Sequence, residues 1–269
     1  MSDVRDARSF DGAGKLLALL AKSNPRIAYP LAAALGGVRH SVTRRWPSIA
    51  EVRELFPHLR SPGAAVVAAR IAALNERNRV LVRGILRHGI DPVRPFVSAA
   101  EPLATMDGPQ ILATFHVGAL HAIGPALERL RPPVLAFRSG ALFSPAASLR
   151  VQSTEGNEQM RAAALHGALL HLRQGGIVVM ALDVAPDRGI ETRCLGHTLR
   201  MAPGAFALAR WTGASVIPIA ARWTSSGIRV RSGQSVSTPA EAAAWLEDYL
   251  LESPSEITLG LLRMLLGVS

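Results

Sequence analysis

Four short apolar runs, each bounded by glycine, proline or charge, most constrain the fold of this chain. They are "QILATF" (110 to 115), "PVLAF" (133 to 137), "GIVVMAL" (176 to 182) and "ASVIPIAA" (214 to 221), with stretches of helical character between them. Continuous rather than alternating hydrophobicity marks strands covered on both faces. Strands alternating with helices imply parallel pairing through crossovers. The pattern predicts an α/β domain with a central, mostly parallel, buried sheet flanked by helices. "SGIRVRSG" (226 to 233) alternates polar and apolar residues and is expected at a sheet edge.

The preceding ~100 residues have helical periodicity. Ser48 and Glu51 have the spacing of a capping box, so a short helix should follow and end near Pro57. After Pro62, Val67, Ile71, Leu74, Leu81 and Ile85 mark the buried face of a longer helix. Arg79, Arg83 and Arg87 lie opposite, as a solvated surface or an anionic docking strip. "TPAE" (238 to 241) and "SPSE" (253 to 256) each place Ser or Thr, then proline, then glutamate at helix-start spacing, so two helices should begin there. The chain divides into a helical portion, 1–105, packed on an α/β core, 106–269, within one structural domain.

Hydrophobic residues make up 49% of the chain and charged residues 19%, too apolar for disorder. Cys194 is the sole cysteine, which excludes an internal disulfide. The formal net charge is +10, and of the 30 basic residues only Lys15 and Lys22 are lysine. Arginine grips phosphate and carboxylate bidentately, so an acidic carrier protein, a phospholipid surface or nucleic acid is the natural class of partner. No nucleic-acid-binding motif accompanies the charge. Asp3, Asp6 and Asp11 come first, unlike a signal peptide. "LLALLAKSNPRIAYPLAAALGG" (16 to 37) is interrupted by Lys22, Asn24, Pro25 and Arg26. Neither half reaches the ~20 residues of a membrane span, leaving two short helices that lie on the protein core or on a bilayer surface.

Two features carry candidate chemistry. His116 ends the first apolar run of the α/β region, where open α/β sheets gather their functional groups. It reads either as a base or as a core histidine beside a turn. A helix starting just after it would keep the ring neutral. In the second feature, Asp183 ends another run, and a polar loop with Asp187, Arg188, Glu191, Arg193 and His197 follows. "APG" then opens a helix. Such a loop either suits an anionic ligand or an oxyanion or is an ordinary connection whose charges face water.

This layout resembles the lysophospholipid acyltransferase superfamily, in particular its branch of bacterial lipid A biosynthesis lauroyl and myristoyl acyltransferases. "HVGALH" stands where that branch has a histidine followed, five positions on, by an acid, so His121 replaces the acid. Phe137–Arg138 matches an aromatic–arginine strand end. "ALD" matches "ADQ" at Asp183, and Gly196 matches a glycine after that loop. Gly204, Ala205 and "TGASVIP" match the following helix and strand, and Phe56–Pro57 matches an "FP" before the long helix. The resemblance runs from about residue 30 to about 225. The branch's aromatic and basic C-terminal segment is replaced by "ITLGLLRMLLGVS".

The resemblance implies a glycerolipid acyltransferase-like fold. It implies transfer of a fatty acyl group from an acyl thioester, carried by acyl carrier protein or coenzyme A, to a hydroxyl of a lipid, glycolipid or other acceptor. The thioester is a co-substrate, and no metal or other cofactor is implied. His116 would be the general base and His121 its orienting neighbour, with Arg138, Asp183, Arg188 and Gly196 binding substrate. The expected location is peripheral, on the inner face of the plasma membrane and in contact with anionic lipid. The alternative is a non-catalytic homologue that binds a lipid or an acyl carrier protein.

Overall fold

The structure is a computed structural model that describes residues 20, 24–43, 47–99, 108–127, 133–138, 149–153, 158–183 and 189–268. Helices α1 (Pro25–Thr43), α2 (Ile49–Leu55) and α3 (Ser61–His88) come first. Asn24 opens α1, accepting from the Arg26 N–H at 2.9 Å. Ser48 opens α2 with both halves of the capping box: its N–H donates to Glu51 Oε2 at 2.5 Å, and its Oγ accepts from the Glu51 N–H at 3.3 Å. All five apolar positions expected on the buried face of α3 are buried. On the other face, Arg79 pairs with Glu76 at 2.9 Å and Arg87 is exposed. Gly36 lets α1 lie against α3, since a Cβ there would sit 2.7 Å from the Ala72 carbonyl oxygen.

Strand β1 (Val97–Ala99) follows, inside the portion expected to be helical. Then come β2 (Gln110–Gly118), a 3-10 turn (Leu120–Ala122), α4 (Ile123–Leu127), β3 (Val134–Arg138), β4 (Leu149–Ser153), α5 (Glu158–Arg173) and β5 (Ile177–Ala181). The chain continues through β6 (Ile190–Cys194), β7 (His197–Met201), α6 (Gly204–Thr212), β8 (Ser215–Thr224) and β9 (Gly227–Ser232). It closes with α7 (Pro239–Glu252), a 3-10 turn (Pro254–Glu256) and α8 (Leu259–Leu266).

The main sheet has the order β1-β9-β8-β2-β5-β3-β4, with β8 and β9 antiparallel and every other pair parallel. The class is α/β, with a mostly parallel central sheet flanked by helices. Both faces are buried, as the continuous apolar runs require. Ile111, Ala113, Phe115 and Val117 of β2 join one core with α2, the first half of α3, α5, α6, α7 and α8. Leu112 joins the other, with α1, the second half of α3 and α4.

Two expectations are corrected. β9 is not an edge strand: β1 pairs with it on one side and β8 on the other, and Ile228 and Val230 are buried. "TPAE" starts a helix, with Thr238 Oγ1 accepting from the Glu241 N–H at 3.2 Å, but "SPSE" does not. Glu256 turns inward and is buried instead of capping. Ile257 is extended and bridges Val117, so α8 begins only after Thr258.

Candidate active site

β2 and β5 run side by side in parallel, with Thr114 opposite Ala181. The ladder continues one step further, since the Leu182 N–H donates to the Thr114 carbonyl at 2.9 Å. The chain leaving β7 pins the same point, with the Ala202 N–H donating to the Leu182 carbonyl at 2.7 Å. Two residues past the last register pair, the two strand ends therefore present His116 and Asp183 to each other. His116 Nδ1 lies 2.9 Å from Asp183 Oδ1, and the His116 backbone N–H donates to Asp183 Oδ2 at 2.7 Å.

The Asp183 side chain is wholly buried, while 39% of the His116 side chain is exposed. A buried carboxylate is tolerable only when paired and hydrogen-bonded, and His116 supplies both a ring and a backbone donor. An ionised carboxylate accepts and does not donate, so it fixes the tautomer with the proton on Nδ1. Nε2 is then the basic nitrogen. Such a pair can act as a general base with an orienting acid.

The ring is aimed by a distortion of β2. Thr114 pairs with Ile219 of β8 and Gly118 with Ala221, so three residues of β2 stand against one of β8. A bulge of this kind re-aims the side chains it carries. Gly118 ends the bulge at φ +55°, and a Cβ there would overlap the Ala221 carbonyl oxygen, so glycine is required twice over.

Asp183, expected to bind substrate, is the carboxylate on His116. The resemblance gives the orienting place to His121, and in the structure Nδ1 of His116 instead meets an acid 67 residues away. His121 lies in the 3-10 turn after Gly118, half-buried. The helix expected directly after His116 begins only at Ile123 and has five residues. Gly196 and Leu195 form the turn of the β6–β7 hairpin, both at positive φ, so the glycine there meets a backbone need. Arg138 ends β3, two strands from His116. Arg188 lies outside the described residues. Cys194 offers no competing nucleophile: burial, reinforced by Glu247 and Asp183, pushes its thiol up to about 12.

Two further groups at the site leave no mark in the spacing of the sequence. Thr258 donates its hydroxyl to the His116 carbonyl at 2.5 Å, and Asn78 Nδ2 donates to the Gly118 carbonyl at 2.7 Å. Both contacts are to backbone, which any residue type supplies, so no motif records them.

No family model matches the chain, and no curated protein matches it. Among solved structures it is similar to the crystal structure of the 1-acyl-sn-glycerophosphate (LPA) acyltransferase, PlsC, from Thermotoga maritima. The two share 13% identity at a TM-score of 0.36, over 86% of this chain and 97% of that one.

Proposed function

We propose that this protein is an acyltransferase that moves a fatty acyl group from an acyl thioester to a lipid or glycolipid hydroxyl, with His116 as base. The observation that carries this reading is the partly exposed His116 ring held through Nδ1 by the buried Asp183. The sequence resemblance supplies the reaction class.

In this mechanism Nε2 of His116 takes the proton of the acceptor hydroxyl as its oxygen attacks the thioester carbonyl. The new C–O bond gives a tetrahedral oxyanion. Its collapse breaks the C–S bond, and the departing sulfur takes the proton back from the imidazolium. Asp183 balances the positive ring between the two transfers. A base of this kind contributes about 10² to 10⁴ in rate. Arg138 and Arg188 are proposed as donors to the oxyanion or to a phosphate on either substrate, and Gly196 and His121 as neighbours of the substrate.

The donor is acyl carrier protein or acyl-coenzyme A, both anionic, which suits the net charge of +10. Among the described residues no helix is long and apolar enough to cross a membrane. We place the protein peripherally on the inner face of the plasma membrane, where acyl thioesters are available. α1 supports this: its inner face is built of Ala28, Tyr29, Ala32 and Gly36, while Ile27, Leu31, Leu35 and Val38 face outward, 39 to 63% exposed. A helix with its bulkier apolar stripe turned outward suits a bilayer surface.

The test is release of free thiol from acyl-coenzyme A and acyl carrier protein thioesters in the presence of lysophospholipid or glycolipid acceptors. Wild type should turn over and His116→Ala should not. Acyl binding without turnover by wild type would make the chain the non-catalytic homologue.

A further inference from the structure

We propose that Thr258 and Asn78 are positioning residues for His116, which makes the C-terminal segment 253–258 a working part of the site. This rests on His116 being the base. The bulge in β2 removes residues 115–117 from regular pairing with β8, so their backbone groups need other partners. Each partner comes from elsewhere in the chain. The His116 N–H goes to Asp183, and the His116 carbonyl accepts from Thr258 Oγ1. Val117 bridges Ile257, and the Gly118 carbonyl accepts from Asn78 Nδ2. The Ala119 N–H closes the segment on the Ala221 carbonyl at 2.7 Å.

The two side chains are themselves held in one orientation. A hydroxyl has one proton to give. Thr258 gives it to His116, while its oxygen accepts from the Leu261 N–H at 3.4 Å and so caps α8. The Asn78 amide is oriented by Trp223 of β8, whose Nε1–H donates to Asn78 Oδ1 at 3.1 Å. That leaves Nδ2 facing Gly118. Trp223 is in turn packed edge-on by Tyr29, with ring centroids 4.8 Å apart, and covered by Arg77, 5.5 Å from its ring. The ring is thus fixed by Asp183, and the backbone under it by α3, β8 and the segment before α8. Asp183 alone would allow ring and carboxylate to shift together. The carbonyl clamps fix where Nε2 points.

The experiment compares Thr258→Ala, Thr258→Ser, Asn78→Ala and Thr238→Ala in the full chain. Thr238 caps α7 as Thr258 caps α8 and serves as control for loss of a cap. Thr258→Ala and Asn78→Ala should each lower kcat between about 10- and 100-fold, the penalty of a displaced catalytic group, with the KM for thioester changed less than about twofold. Thr258→Ser should restore kcat, and Thr238→Ala should leave it at the wild-type value. The second readout needs no turnover: the NMR resonance of the His116 Nδ1 proton should shift or exchange faster in Thr258→Ala and Asn78→Ala, and return in Thr258→Ser. Wild-type kcat and an unchanged resonance in both alanine variants would overturn the positioning role while leaving acyl transfer standing. Should wild type turn over no thioester, the resonance alone decides. Should Thr258→Ala fail to fold, Asn78→Ala and Thr258→Ser decide.

Discussion

Asp183 receives both the ring and the backbone N–H of His116, at 2.9 and 2.7 Å, from a position with no solvent exposure. One carboxylate thus sets the tautomer of the ring and the conformation of the residue that carries it. Asp183→Asn keeps the shape but loses the charge, and one amide cannot accept from both donors as two carboxylate oxygens do. It should lower kcat by roughly 10² to 10⁴, the range seen when a base is lost or its orienting acid neutralised. Steady-state thioester turnover at matched folding, checked by circular dichroism, measures it. A loss below about fivefold would remove Asp183 from the mechanism.

Since Nδ1 is held by Asp183, a carboxylate at position 121 has no orienting work left to do. His121→Glu and His121→Ala should both leave kcat within about tenfold of wild type, below the span of a lost base. An increase on His121→Glu would return the orienting role to residue 121.

What the sequence hid at this site follows from how the pair is made. The apolar runs ending at Phe115 and Leu182 place His116 and Asp183 near the carboxyl ends of β2 and β5, and that much is legible, although β2 runs on through its bulge to Gly118. The choice of partner is not legible, because it depends on β2 and β5 being neighbours in the sheet. Local spacing favoured His121, five positions away, over an acid that only the parallel pairing brings near. The bulge was equally hidden: Gly118 is its one visible trace, and a glycine after a strand has many uses. "SPSE" matched the helix-start pattern of "TPAE", yet the carboxyl of Glu256 is taken into the interior. Local capping gave way to tertiary packing against Val117 and Gly118.

Gly118→Ala should be among the most damaging single changes in the chain. It asks alanine to hold φ +55° with its methyl on the Ala221 carbonyl oxygen, so either β8 or the bulge must move. A loss of roughly 3 kcal/mol or more is expected. Urea denaturation monitored by tryptophan fluorescence gives the number. A cost under about 1 kcal/mol would show that the loop yields easily.

The outward stripe of α1 should govern membrane contact. Leu31→Glu with Leu35→Glu changes residues that are 47% and 39% exposed, so the fold should survive. Each lost leucine contact removes on the order of 1 kcal/mol of burial in the interface. Sedimentation with vesicles of anionic phospholipid should show wild type bound and the double variant weaker by roughly 30-fold or more. Binding that vanishes in high salt but ignores the double variant would assign the contact to arginines alone.

Glu256 gives the chain a pH dependence that can be signed. Its folded pKa is raised from 4.5 to about 7, chiefly by burial, against the pull of Arg222, the Trp223 backbone and Arg77. The native state therefore binds this proton more tightly than the unfolded chain. The stabilising contribution is fully present below pH 4.5 and is lost as pH rises through about 7. Each tenfold difference in proton affinity between the two states corresponds to about 1.4 kcal/mol, so the loss is on the order of a few kcal/mol. Glu256→Gln keeps the neutral shape at every pH. Its stability should change less than that of wild type between pH 5 and pH 8, and it should exceed wild type at pH 8. Denaturant midpoints at the two pH values measure the difference directly. Parallel curves for the two proteins would mean that Glu256 keeps its charge in the interior, with Arg77 and Arg222 as its counter-ions.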